Sequence, residues 1–192
     1  FMFDNAPPLN VSIETRPEKG EGFAPLASMF KQFELIYVVG DENDLVGLRA
    51  SHREEQVFLF HVMAPPENAR RLFLIYLARI NELAERPEWY HLLSNNCTLN
   101  IVRYMNKAGR EGGFEWSHLL NGMFDGYLFS VGLLDTSLPF HELRERSRIT
   151  AAAKAAEDAP DFSTRIRAGL PHLPAPKRET PSAATMPAQT PK

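Results

Sequence analysis

The stretch Leu92-Leu93-Ser94-Asn95-Asn96-Cys97-Thr98-Leu99-Asn100-Ile101 holds the only cysteine among 192 residues. Ser94, Asn95 and Asn96 are residue types favoured at a helix N-cap, because a short side-chain oxygen accepts a hydrogen bond from a first-turn amide. Beyond Cys97, Ile101, Val102 and Met105 supply a buried helical face, and Gly109-Arg110-Glu111-Gly112-Gly113 ends it. The stretch therefore reads as a loop turning into a helix, with Cys97 in the first turn. Free amides and the positive end of the helix dipole favour a thiolate there, and the same amides can hold an oxyanion. The competing reading is an inert core thiol, since free cysteine is among the most buried residue types.

Upstream, Pro65-Pro66-Glu67 opens another helix with proline and acid in its first turn. Ala69, Leu72, Phe73, Tyr76, Leu77, Ile80, Leu83 and Ala84 follow at three-and-four spacing, and Pro87 stops the helix. Before it the pattern is strand-like. Phe1 to Phe3, Val11 to Thr15, Phe33 to Val39, Leu45 to Leu48 and Gln56 to Val62 are expected strands. In the second of these, Val11 and Ile13 face one way and Ser12 and Glu14 the other. Leu26 to Phe30 is expected to form a helical turn.

Downstream lie Phe114 to Asn121, Phe124 to Val131, a helix opened by Ser137-Leu138-Pro139, and an alanine-rich helix from Thr150 to Ala156. Six of the fifteen prolines fall from Pro171 onward, which predicts a disordered tail over 171–192 behind a folded unit at 1–170. Strands followed by helices predict an α+β fold, an antiparallel sheet packed against helices.

Composition excludes several classes. Apolar content of 44% and charged content of 23% are those of a globular domain, and a net charge of −3 without a basic block gives no sign of nucleic-acid binding. One cysteine rules out an internal disulfide framework. The longest apolar run, Leu72 to Ala78, is far short of a membrane span. The chain opens on Phe1 rather than methionine, so it is expected to be a fragment or a processed chain, with any membrane anchor upstream.

A nucleophile needs a base. Of His52, His61, His91, His118, His141 and His172, no pair has metal-ligand spacing, so neither a metal nor another cofactor is expected. His61, on an expected strand, is the candidate partner for Cys97. His52, His141 and His172 sit in charged or proline-rich surroundings and read as solvated. Trp116, Phe124, Tyr127 and Phe129 read either as core or as the lining of a lipid groove. The charged run Glu142-Leu143-Arg144-Glu145-Arg146 reads as a solvated helix face, and Arg165, Arg167, Lys177 and Arg178 give the C-terminal part a slight basic bias.

Val11-Ser12-Ile13-Glu14-Thr15-Arg16, Phe33-Glu34-Leu35-Ile36-Tyr37-Val38-Val39 and Asn96-Cys97-Thr98 resemble the Lnb N-terminal periplasmic domain family. Leu120-Asn121-Gly122, Gly132-Leu133-Leu134-Asp135 and Asp161-Phe162-Ser163 extend the likeness to about residue 170, and their order along the chain makes it specific. The resemblance implies a circularly permuted papain-like (NlpC-type) fold, in which a base histidine comes first, a polar residue follows on the next strand and an Asn-Cys motif comes last. Cys97 then matches the nucleophile, with Asn96 and Ser12 in support. Glu14 falls where the third polar group is expected. The base histidine is expected just ahead of Phe1.

The implied chemistry is acyl transfer through a cysteine thioester, on a lipid or lipoprotein substrate in the bacterial periplasm, with a tether to the inner membrane upstream. An envelope peptidase or amidase of the same fold, and a catalytically inactive envelope-associated binding module, are the alternatives.

Overall fold

The computed structural model describes residues 1–16, 33–91, 93–109 and 124–171. Two strands, β1 (Asn10–Arg16) and β2 (Glu34–Gly40), pair antiparallel with Val11 opposite Val39, Ile13 opposite Tyr37 and Thr15 opposite Leu35. Alternation along β1 sends Val11 and Ile13 to one face and Ser12 and Glu14 to the other, as the residue pattern predicts. The helices are α1 (Asn43–His52), α2 (Pro66–Glu85), α3 (Cys97–Lys107), α4 (Phe124–Ser130), α5 (Phe140–Arg146), α6 (Thr150–Ala155) and α7 (Phe162–Arg165). The fold is thus mixed, a small antiparallel sheet packed against helices.

The proline and cap signals locate α2, α3, α5 and α6 within a residue or two. α2 starts behind Pro65, α5 behind Pro139, and α3 runs out just before Gly109, whose φ of +111° few other residues adopt. Three expected strands differ. Leu45 to Leu48 lies inside α1, which is wound as a wide π-type helix closed by Arg53 N donating to Leu48 O at 3.0 Å. A four-residue apolar run carries no decisive period. Here Asp41 Oδ1 accepts the Asp44 amide at 2.8 Å and starts a helical turn instead. Gly40 leads into α1, and a Cβ there would come within 2.7 Å of Leu45 Cδ1, so a larger residue would require the Leu45 side chain to move.

Gln56 to Val62 is extended but forms no ladder. It is tied to the C-terminal part by Leu59 N to Ser147 O (2.8 Å) and Ile149 N to Val57 O (2.9 Å). Phe1 to Phe3 is not a strand, although Phe1 and Leu9 exchange two main-chain hydrogen bonds, at 2.8 and 3.0 Å. The sheet among the described residues therefore has two strands. The expected helical turn at Leu26 to Phe30, the segment Phe114 to Asn121 with Trp116 and His118, and the tail beyond 171 lie outside the described residues.

Three apolar clusters hold the elements. Ile13, Phe33, Leu35, Tyr76, Tyr90 and Tyr104 join the sheet to α2 and α3. Ala50, Ile149, Ala153 and Phe162 join α1 to α6 and α7. Val102, Tyr127, Leu128, Leu134 and Leu143 join the other side of α3 to α4 and α5. Phe124, Tyr127 and Phe129 pack in this third cluster, so the described aromatic residues of that region are core. α3 is central because two of these clusters bury it from adjacent sides.

One ion pair ties the C-terminal helices to the N-terminal half. Arg167 donates through both terminal nitrogens to Glu42, each at 2.5 Å, and Glu42 is only 4% exposed. Burial alone would push the Glu42 carboxyl upward, but hydrogen bonds from Arg167 and Ser163, with the Arg167 charge, outweigh it and hold the carboxyl below its ordinary range. The stabilisation is therefore complete above the unfolded-state value of about 4.3. It is lost as pH falls through the lower folded value. Arg167→Met leaves Glu42 buried without its cation. It is expected to cost about 2–4 kcal/mol in equilibrium denaturation at pH 7, a difference that shrinks toward zero in titrations carried below pH 4.

Candidate functional site

The approach to Cys97 is built by the chain between α2 and α3. After Pro87, residues 88–90 run beside the start of β2, with Leu35 N donating to Glu88 O and Tyr90 N to Phe33 O, both at 2.8 Å. A tight turn follows, in which His91 and Asn95 exchange main-chain hydrogen bonds at 3.2 and 2.8 Å. Asn96 is extended (φ −102°, ψ 172°), fully buried, and accepts the Leu99 amide on its side-chain oxygen at 2.8 Å. It is the N-cap of α3, and Cys97 is the first residue of the helix. The thiol is half-buried, packed against the cluster of Ile13, Tyr76 and Tyr104. Its Sγ lies 4.0 Å from Thr98 Oγ1. It is thus neither mid-helix nor fully enclosed.

Phenols and a polar network surround it. Burial pushes the Tyr76 hydroxyl upward, with the neighbouring Tyr104 and Cys97 adding to the effect. Burial and the hydrogen bond with Tyr104 do the same to Tyr37. Both phenols stay neutral at physiological pH, so they place no anion beside the sulfur. Behind them, Tyr37 and Tyr104 share a hydrogen bond of 2.6 Å. Arg79 Nε donates to the Tyr104 hydroxyl at 3.2 Å, and Arg79 Nη2 donates to Glu88 at 2.8 Å. Asn95 Nδ2 donates to Glu88 at 3.3 Å and to Trp89 O at 2.9 Å. Asn100 Nδ2 donates to Asn95 Oδ1 at 2.9 Å. Trp89 and Leu93, about half exposed at 52% and 51%, flank this loop with large apolar surface.

The chain matches the family model described as Lnb N-terminal periplasmic domain over residues 3–122. It belongs to that family. No curated protein and no solved structure matches it. The family is one of periplasmic domains, in agreement with the expected location. No helix among the described residues is long and apolar enough to cross a membrane, and no cluster of His, Cys, Asp or Glu among them has a metal-holding arrangement.

Of the expected site residues, Asn96 caps the helix at Cys97, whereas Glu14, Ser12 and His61 do not converge on it. Glu14 and Ser12 lie on the sheet face turned away from Val11 and Ile13, whose cluster contains Cys97. There Arg49 Nη2 donates to Glu14 Oε1 at 2.7 Å and to Ser12 Oγ at 3.1 Å, and Arg53 stands 3.8 Å from the same carboxylate. A strand alternates faces at every residue, so Glu14 cannot serve Arg49 and the Ile13 side together. His61 is exposed on the extended segment beside Leu134 and Asp135, next to the third cluster rather than the first. His91 is closer in sequence, but its Nδ1 accepts the Leu93 amide at 3.2 Å and meets Ser94 Oγ at 3.0 Å, an arrangement that braces the turn.

The sequence reading gives Arg79, Glu88, Asn100, Tyr37 and Tyr104 no role at the site and takes Asn95 only as a helix-cap residue type. The available signal was Asn100 and Tyr104 on the same helical stripe as Cys97 and Ile101, where buried polar groups must find partners. Asn96→Ala removes the cap and is expected to lower stability by about 1–2 kcal/mol, read as a lower thermal midpoint. Asn96→Asp keeps the acceptor and is expected to lose less.

Proposed function

We propose that this domain is a cysteine-dependent acyl-transfer enzyme of the bacterial envelope, built on a permuted papain-like plan. The observation that carries the reading is a half-buried thiol at the first position of an Asn-capped helix, in a member of a periplasmic domain family. First-turn amides and the helix dipole favour both the attacking thiolate and the oxyanion that follows. The exposed apolar side chains of Trp89 and Leu93, on the loop that leads to Cys97, favour an acylated substrate over a polar peptide.

In the first half-reaction Cys97 Sγ attacks the ester carbonyl carbon of a lipid or lipoprotein donor. The tetrahedral oxyanion collapses, the carbon–oxygen bond breaks, and the alcohol leaves with a proton returned by the base histidine expected ahead of Phe1. In the second half-reaction the α-amine of a lipoprotein's N-terminal cysteine attacks the thioester. The amide forms, the amine gives up a proton and the Cys97 thiolate is released. An upstream tether to the inner membrane would keep the site at its substrate.

The test is intact-mass analysis of the full-length protein incubated with a diacylglyceryl lipopeptide in detergent micelles. An acyl adduct on Cys97 that hydroxylamine removes, and that Cys97→Ser does not form, is expected. N-acylated peptide should appear as the adduct decays. Neither adduct nor product in the wild-type protein overturns the reading, and decay to free fatty acid alone replaces transferase with hydrolase.

A further inference from the structure

Five side chains behind Cys97 close into a ring. Arg79 Nη2 reaches Glu88 Oε1, Asn95 Nδ2 reaches Glu88 Oε2, and Asn100 Nδ2 reaches Asn95 Oδ1. The Tyr104 hydroxyl donates to Asn100 Oδ1 at 3.3 Å and accepts from Arg79 Nε. The direction of every bond is forced by chemistry. Arginine only donates and an ionised carboxylate only accepts, so Asn95 must turn its amide nitrogen to Glu88 and its oxygen to Asn100. Arg103 Nη1, 2.9 Å from Asn100 Oδ1, fixes Asn100 in the same sense. With Tyr104 donating to Asn100, the Tyr37 hydroxyl must donate to Tyr104. Asn100 is fully buried, and the ring joins α2, the 88–95 loop and α3, with β2 attached through Tyr37.

We propose that this ring is a positioning device for Cys97, with Asn95 and Asn100 as its working pair. The proposal rests on reading Cys97 as the nucleophile. The two asparagines flank the cysteine in sequence, and their side-chain bond clasps the chain across the first turn of α3. Helix ends are where a helix opens most readily, because their amides lack intrahelical partners. A clasp spanning the first turn holds the helix start that carries the sulfur in one arrangement. Two separate anchors hold the clasp, the Arg79–Glu88 ion pair on one side and the Tyr37–Tyr104 hydroxyl pair on the other. Where the ring is buried, at Asn100 and Tyr104, its hydrogen bonds are shielded from water and strengthen one another by mutual polarisation, which holds one arrangement. None of the ring residues is offered as a catalytic residue; they act through Cys97.

The experiment is the rate of Cys97 alkylation by iodoacetamide as a function of pH, with thermal melts alongside, on the 192-residue chain whose only thiol is Cys97. Asn95→Ala removes the clasp from the loop side. Tyr104→Phe removes the shared hydroxyl while keeping the ring that packs on Tyr76. Both are expected to slow alkylation at pH 7 by about three- to tenfold, with the same plateau rate at high pH. Arg71→Ala, which removes an exposed ion pair with Glu67 on α2 away from the ring, is expected to leave the profile unchanged. A ring that is merely structural would lower the melting temperature of the two variants yet leave their alkylation profiles on that of the wild type. That outcome, or faster alkylation in the variants, overturns the proposal. Should Tyr104→Phe fail to fold, Asn95→Ala, in the half-exposed loop, decides alone. The readout needs no substrate, so it fails separately from the acyl-transfer reading, which falls with the wild-type acyl adduct.

Discussion

The bond from the Leu99 amide to the Asn96 side chain is the constraint on which the site depends. It starts α3 at Cys97 and nowhere else. A start one residue later would leave the cysteine in the loop, and one residue earlier would move it into the helix body. Because Asn96 is fully buried, the bond is shielded from water and competes with no solvent partner. The rest of the helix reinforces it. Tyr104 and Ile101 hold one side against the sheet cluster, and Val102 and Met105 hold the adjacent side against α4 and α5. A helix buried on two sides cannot rotate about its axis without breaking one packing surface, so the cap and the two cores together fix where the sulfur points.

That burial creates a problem for the polar groups carried with it. Asn100, Tyr104 and Asn96 lie on buried faces of α3, where an unmatched polar atom costs about 1–3 kcal/mol. The fold meets the cost by closing Asn100 and Tyr104 on each other and on Arg79 and Asn95, and Asn96 on the Leu99 amide. The guanidinium is held firmly in its charged form: burial alone works against the charge, but Glu88, Tyr104 and Glu82 outweigh it. The loop that carries Glu88 and Asn95 is the same loop that delivers the chain to Cys97. Satisfying the polar groups and placing the cysteine are therefore one structural event.

The helices around the site were legible in the sequence because their ends carry residues with a single physical meaning. Pro65-Pro66, Pro87 and Pro139 restrict the backbone, the Asn96 side chain caps a first-turn amide, and Gly109 takes the positive φ at which α3 ends. β1 was legible because Val11 and Ile13 alternate with Ser12 and Glu14, and β2 because Phe33 to Val39 is rich in aromatic and β-branched residues. α1 was not, since Leu45-Val46-Gly47-Leu48 is too short to show a period and its helical form depends on packing against α6 and α7, more than ninety residues away. The ring was hidden for a related reason. Helical spacing marks which residues face inward, but it does not say that two inward polar residues will meet an arginine from another helix.

The two faces of the sheet also separate two kinds of chemistry. Ser12 and Glu14 meet Arg49, which also donates to Glu55 at 3.0 Å, and this polar cluster fastens the back of the sheet to α1. The front face carries Val11, Ile13 and Tyr37, with Tyr76 packed over them. A carboxylate on that face would repel a thiolate and draw in water. Neutral phenols and branched aliphatics do neither. The partition made by strand alternation thus keeps the anion-bearing side chains of β1 on the side remote from Cys97. It leaves the half-buried sulfur against Ile13, Tyr76 and Tyr104, with no carboxylate from β1 on its side. On the proposed reading this is also the surface an acyl chain would cross, and burying its methylenes there would strengthen the first-turn dipoles of α3 by excluding water.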